Sequence, residues 1–201
     1  KKRMPIGSAG MWTWLLRLLQ ARPRDRSAEP APEEPGALFT RPATWEDVIT
    51  TARLLNRYQV RYLLVGGYAL AAHGYVRMTE DIDIAVAPDS ENSRRWIFAL
   101  SELPDGAAQE LAGENDPFEG DHLHAIRIND AVTVDVMPSV SGVSFPELEQ
   151  LAETMVLDGV PVPVLGLKGL LKTKQGLRPK DQADAAMLQR VIASLADDGS
   201  K

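Results

Sequence analysis

The chain has 201 residues, enough for one domain with a full core. It holds no cysteine, which excludes disulfides and thiolate metal sites. The net charge of −6 is uneven: residues 1–26 carry seven Lys/Arg and one acid, leaving 15 basic and 27 acidic residues over 27–201. A body with a net of −12 excludes a general grip on a nucleic-acid backbone, although a local basic patch is still open to it.

Residues 1–10 read as a tag remnant ahead of Met11. Met11–Leu19, MWTWLLRLL, falls well short of the roughly 20 residues that span a bilayer, and Arg17 interrupts it. Residues 1–21 therefore read as a short amphipathic segment that docks on a protein or a membrane surface. Residues 22–43 hold Pro23, Pro30, Pro32, Pro35 and Pro42 among charges, so a flexible linker is expected. The folded domain is expected over 44–195, with 196–201 as a tail.

Thr44 and Asp47 form a capping box for a helix to about Tyr58, with apolar residues at helical spacing. Arg61–Val65 reads as a buried strand, Gly67–His73 as a helix and Ile82–Ala87 as a second strand stopped by Pro88. Ser90 caps a helix predicted through Leu103. Pro104–Asp121 reads as a loop with one helical turn. His122–Ile128 and Ala131–Met137 are predicted strands joined by a tight Asn129-Asp130 turn. Phe145–Ala152 is predicted helical, and two short strands, Thr154–Leu157 and Val162–Val164, flank Asp158-Gly159. Gly166–Gln175 and Pro179–Leu195 close the chain as helices, the last with a Leu188, Val191, Ile192, Leu195 stripe. The fold class is α+β, a small mixed β-sheet flanked by helices.

One stretch carries chemistry: VGGYALAAHGYVRMTEDIDI, Val65–Ile84. Strand alternation points Asp81 and Asp83 to one face and Ile82 and Ile84 to the core behind. Gly66 and Gly67 end a strand at the start of a helix, where outward N–H groups can seat a phosphate. Asp135, in VTVDVM, is a third strand carboxylate that is costly without a partner. Three carboxylates beside a phosphate seat suit Mg²⁺, with Mn²⁺ as a substitute. Two such ions would activate an attacking hydroxyl and stabilise a leaving pyrophosphate. His73 reads as structural. Arg77 and Thr79 either steady the metal strand or touch phosphate.

The late segment holds Lys168, Lys172, Lys174, Arg178 and Lys180 without an acid among them, a local basic patch. Lys168 and Lys172 share a helix face, and Lys174 points roughly the other way.

With these motifs the sequence resembles the nucleotidyltransferase superfamily, whose signature is a G-G or G-S pair, a spacer, a D-h-D pair and a later strand carboxylate. GGYAL, RMTEDID and KTKQGLRPKDQAD look like the small bacterial AbiEii-like, abortive-infection branch, over roughly Thr44–Leu195. The resemblance implies a polymerase beta-like fold and transfer of an NMP from an NTP such as ATP to a hydroxyl. It implies Asp81, Asp83 and Asp135 as metal ligands, Asp135 alternatively as the base, and Gly66 and Gly67 at the nucleotide phosphates. Lys174, Arg178 and Asp181 match its late motif, with Lys172 the competing choice for the active-site lysine. The acceptor is an RNA 3′ end, a protein side chain or a small molecule such as an aminoglycoside. A cytoplasmic toxin with a cognate antitoxin is a further implication. The competing readings are a non-catalytic nucleotide-sensing or protein-binding module on the same fold, and an interaction protein that docks through its Trp-rich N-terminus.

Overall fold

In the computed structural model the Thr44 capping box forms as its sequence requires. Thr44 and Asp47 exchange side-chain and backbone hydrogen bonds, and Arg41 pairs with Asp47 at 2.7 Å. The structure describes residues 40–113, 116–118, 124–176 and 178–198. The expected N-terminal segment, most of the linker and the start of the strand expected from His122 lie outside the described residues.

The first described helix, α1, is Trp45–Arg57; its buried face of Val48, Ile49, Ala52 and Leu55 follows the helical spacing. Strand β1 is Tyr62–Leu64, helix α2 Gly66–Ala72 and strand β2 Ile82–Val86. Helix α3 is Ser90–Leu100. Its cap is Asp89, which accepts from the Asn92 N–H, rather than Ser90, and it ends three residues before Leu103. A 3₁₀ turn, Ala107–Leu111, supplies the helical turn expected in the following loop.

Strands β3, Ile126–Asn129, and β4, Thr133–Met137, pair antiparallel. Their connection is wider than a two-residue turn, and Asn129 belongs to the strand. Asp130 cannot be a free turn residue. It is buried, and its carboxylate accepts the N–H groups of Asp105, Ala107 and Ala131, which tie the hairpin to the 3₁₀ turn.

A small ribbon follows, β5 at Ser139–Val140 and β6 at Val143–Ser144, with no counterpart in the sequence reading. Helix α4 is only Phe145–Glu149, because Ala152 already begins strand β7, Ala152–Leu157. Strand β8, Val160–Leu165, contains Pro161 and Pro163. A proline cannot donate to a ladder, so it suits positions open on one side. β8 meets β1 only at Leu64 and Val164, leaving both prolines beyond that pairing. Helix α5 is Leu167–Thr173 and helix α6 is Pro179–Asp198.

The six-stranded sheet runs β3-β4-β2-β1-β8-β7. It is mixed: β2 lies parallel to β4 and β1 parallel to β8, while the other neighbours are antiparallel. Helices flank it. α1 packs on α3, α2 on β2 and α5, and α5 on α6. The closing stripe is buried at Leu188 alone: Val191 and Ile192 are half-buried and Leu195 is 58% exposed. Ile192 and Leu195 instead line a cavity together with Ala152 and Glu153 of β7.

Candidate active site

The parallel pairing of β2 with β4 puts Asp83 directly beside Asp135. The antiparallel pairing of β4 with β3 puts Arg127 directly on the other side of Asp135. Register partners project to the same face, so Arg127, Asp135 and Asp83 form a row across three strands. Asp81 joins it from the same face of the chain entering β2. Ile82 and Ile84, each 1% exposed, anchor the opposite face in the core.

Gly66 closes the row at the tip of β1. It has φ +64°, and a Cβ there would fall on the Asp83 carboxyl group, with its Cγ at 2.6 Å. The second glycine is required by a different neighbour: a Cβ at Gly67 would meet Thr79 Cβ at 2.6 Å and Oγ1 at 2.7 Å. The pair thus lets α2 start against the segment that delivers the carboxylates.

Three carboxylates on one face repel. Burial first, then the charges of Asp135 and Asp81, push Asp83 up to about 6, against the weaker opposing pull of Lys174 and Arg77. Arg127 offsets part of this charge. Its Nε and Nη2 donate to the two oxygens of Asp135 at 2.9 and 2.8 Å, and Nη2 reaches Asp81 Oδ2 at 3.1 Å. Its guanidinium is held firmly charged by the Asp135 hydrogen bonds.

Next to the row opens a cavity of about 350 Å³. Gly66 and Asp83 line one wall, and Lys174, Arg178, Lys180 and Asp181 line the other. The sheet and the late basic segment, nearly a hundred residues apart in sequence, therefore face each other. Lys174 lies just after α5. Its Nζ is 3.1 Å from Asp184 and 3.4 Å from Asp181, and its side chain is 10% exposed. Arg178 is largely free of the protein, with Asp181 at 3.9 Å and 76% of its side chain exposed. Asp184 Oδ2 also forms an ion pair with Arg77 Nε at 3.3 Å, without hydrogen-bond geometry, between the segment before Asp81 and α6.

The other sequence candidates divide. Arg77 lines the cavity. Thr79 lies under Gly67, and its hydroxyl donates weakly to the Asp81 carbonyl at 3.4 Å. Lys172 is elsewhere: its Nζ pairs with Glu147 at 3.1 Å, and it is not among the residues lining the cavity. His73 bonds the Leu165 carbonyl at 3.0 Å, a structural contact. Two charged residues escaped the sequence reading, Arg127 and Asp184. The only signal for Arg127 was its place on an edge strand facing Asp135. Asp184 was visible as the second acid in KDQAD, one helical turn from Asp181.

Among the described residues no three acids or imidazoles stand close enough to enclose a metal by themselves. Mg²⁺ commonly takes only one or two protein carboxylates together with substrate phosphates. The site fits that mode: Asp81 and Asp135 already share one cationic group, and Asp83 lies next to Asp135 and lines the cavity. Asp81, Asp83 and Asp135 are the residues from which such an ion could draw one or two ligands.

A strand carboxylate lining a basic cavity, with a second carboxylate beside it on the parallel neighbour of a mixed sheet, is the arrangement of a nucleotidyltransferase. A model of the aminoglycoside-2''-adenylyltransferase family matches residues 47–188, and the chain belongs to that family. The lincosamide antibiotic adenylyltransferase LnuA, solved with lincomycin bound, shares 15% identity over 74% of this chain and 98% of that one, with a TM-score of 0.50. That likeness concerns the fold. The antibiotic-resistance factor ANT(2'')-Ia is 16% identical over 76% of this chain and 95% of that one, at a TM-score of 0.42. An antigenic nucleotidyltransferase-like protein from Paracoccidioides brasiliensis is 18% identical over 75% and 78%, at 0.43. No curated protein matches the chain. No helix among the described residues is long and apolar enough to cross a membrane.

Proposed function

We propose that the chain transfers AMP from ATP to a hydroxyl of a small, cationic molecule such as an aminoglycoside, with a divalent metal, in the cytoplasm. One observation carries the reading: Asp83, at the centre of the carboxylate row, lines one cavity together with Lys174, Arg178 and Lys180. The family to which the chain belongs supports an adenylyl donor and an antibiotic acceptor. The −12 charge of residues 27–201 attracts a polycation and repels an RNA backbone.

Lys174 and Arg178 hold the triphosphate against Gly66, and Asp181 and Asp184 hold Lys174. Asp135 lies on the other side of Asp83 from Gly66, toward the edge strand, where the acceptor enters. The acceptor oxygen attacks the α-phosphorus, the bond to the β-phosphate breaks, and the hydroxyl proton passes to Asp135. A divalent ion drawing one or two ligands from Asp81, Asp83 and Asp135 would lower the hydroxyl pKa and offset charge on the departing pyrophosphate.

The AbiEii-like resemblance supports a second destination for the same transfer, an RNA 3′ end or a protein, with the chain as a toxin and an antitoxin as partner. Incubation with α-labelled NTPs, Mg²⁺ and, separately, aminoglycosides, lincosamides, total RNA and cell protein decides between them. We expect label from ATP on a small molecule with stoichiometric pyrophosphate. Label on RNA or protein alone would transfer the proposal to the toxin reading. Absence of metal-dependent pyrophosphate release with every acceptor would refute transfer altogether.

A further inference from the structure

Among the described residues, Arg127 is the group that binds two of the three carboxylates at once. Its fork takes both oxygens of Asp135, at 2.9 and 2.8 Å, and Nη2 also reaches Asp81 at 3.1 Å. Those oxygens are the lone pairs that a divalent ion on the same residues needs. A bidentate guanidinium is a strong and directional partner for a carboxylate. Yet the Arg127 side chain is 57% exposed, while that of Asp135 is 14% exposed. The guanidinium can therefore leave toward solvent without unpacking the core, whereas the carboxylate cannot move. Asp83, the third acid, receives no hydrogen bond from Arg127 and has only the weaker pull of Lys174 and Arg77.

We propose that Arg127 is a resident countercation and positioning residue: it holds Asp81 and Asp135 in place until a divalent ion arrives, and it must release Asp135 for that ion to bind. This rests on the metal reading given under Proposed function. The consequence is an order of events. Metal alone has to displace a charge-assisted fork, so it binds weakly. Metal that arrives on a nucleotide brings phosphate oxygens as additional ligands and additional negative charge, and the exchange becomes favourable. The enzyme is thereby kept from loading metal without its nucleotide.

The test is Mn²⁺ binding to the full chain without nucleotide, followed by electron paramagnetic resonance and by calorimetry. Arg127→Gln removes the competing charge and should bind Mn²⁺ about tenfold more tightly than the unaltered protein. Arg127→Lys keeps the charge and loses the fork, and should lie between them. Without metal, Arg127→Gln should melt lower than the unaltered protein, and Mn²⁺ should raise its melting temperature more. Should Arg127→Gln not fold, the tighter binding of Arg127→Lys carries the test alone. Equal or weaker Mn²⁺ binding in the folded variants, with Asp83→Asn binding none, would overturn the role of Arg127 and leave the metal reading standing. Equal Mn²⁺ binding in Asp83→Asn and the unaltered protein would remove the metal reading and this inference with it.

Discussion

Asp83 leaves no room for a side chain at Gly66: a Cβ there would lie 2.6 Å from the Asp83 Cγ, on a backbone with φ +64°. Gly66→Ala therefore combines backbone strain with a collision against a buried carboxylate. We expect a loss of about 1–3 kcal/mol in stability and near-complete loss of transfer, because Asp83 must move. Chemical denaturation and pyrophosphate release measure the two. An unchanged melting temperature with intact turnover would show that the tip of β1 rearranges freely.

The carboxylate row makes the metal-free protein pH-sensitive. Asp83 sits at about 6, above its unfolded value of 3.8, so between these the folded state keeps a proton that the unfolded state has released. Stability from this group is present below about pH 4 and is lost as pH rises through about 6, on the order of 2–3 kcal/mol in all. Asp83→Asn removes both the titration and one like charge. In chelator at pH 8 it should melt above the unaltered protein while losing transfer. Melting curves from pH 4 to 8 in both proteins check the slope, and equal slopes would contradict the assignment.

Lys174 and Lys172 should behave differently although two residues apart. Lys172 holds an exposed pair with Glu147, and exposed pairs contribute about 0–1 kcal/mol. Lys172→Ala should leave the ATP constant within about twofold. Lys174→Ala should raise that constant and cut turnover by roughly 10²-fold, since the charge offsets the leaving pyrophosphate. Acceptor affinity, measured separately at two salt concentrations, should change little. A defect confined to the acceptor would assign this wall to the acceptor instead.

Asp184 is 8% exposed and joins Arg77 to Lys174. Asp184→Ala leaves two cations short of a partner, and should cost on the order of 3 kcal/mol. Asp184→Asn, which keeps the shape, should fold better and still weaken ATP binding, because Lys174 then leans on Asp181 alone. Calorimetry with ATP on the folded Asn variant tests this; unchanged affinity would make Asp184 purely structural.

Local pattern was enough to read which side chains of the candidate site share a face. Strand alternation put Asp81 and Asp83 on one face with two isoleucines behind, and the burial of both isoleucines follows from that alone. The Thr44–Asp47 capping box is a contact over three residues, so the sequence specifies it directly. The glycine pair announced a close approach, but not to what. Helix ends slipped by a few residues where a neighbouring cap or strand competed, as at Asp89 and Ala152.

Only the tertiary structure decided the rest. Asp83 and Asp135 are separated by more than fifty residues, and their adjacency depends on the register of two parallel strands. That register is set by the burial of whole strand faces and by connections whose length carries no face information. Arg127 enters the row for the same reason, through a second register. Lys174 comes to line a cavity with Gly66, and to pair with Asp184, through the packing of α5 on α2 and α6, a choice that helical periodicity leaves open. A sequence states which side chains share a local face; which faces meet is decided by the burial of the whole core.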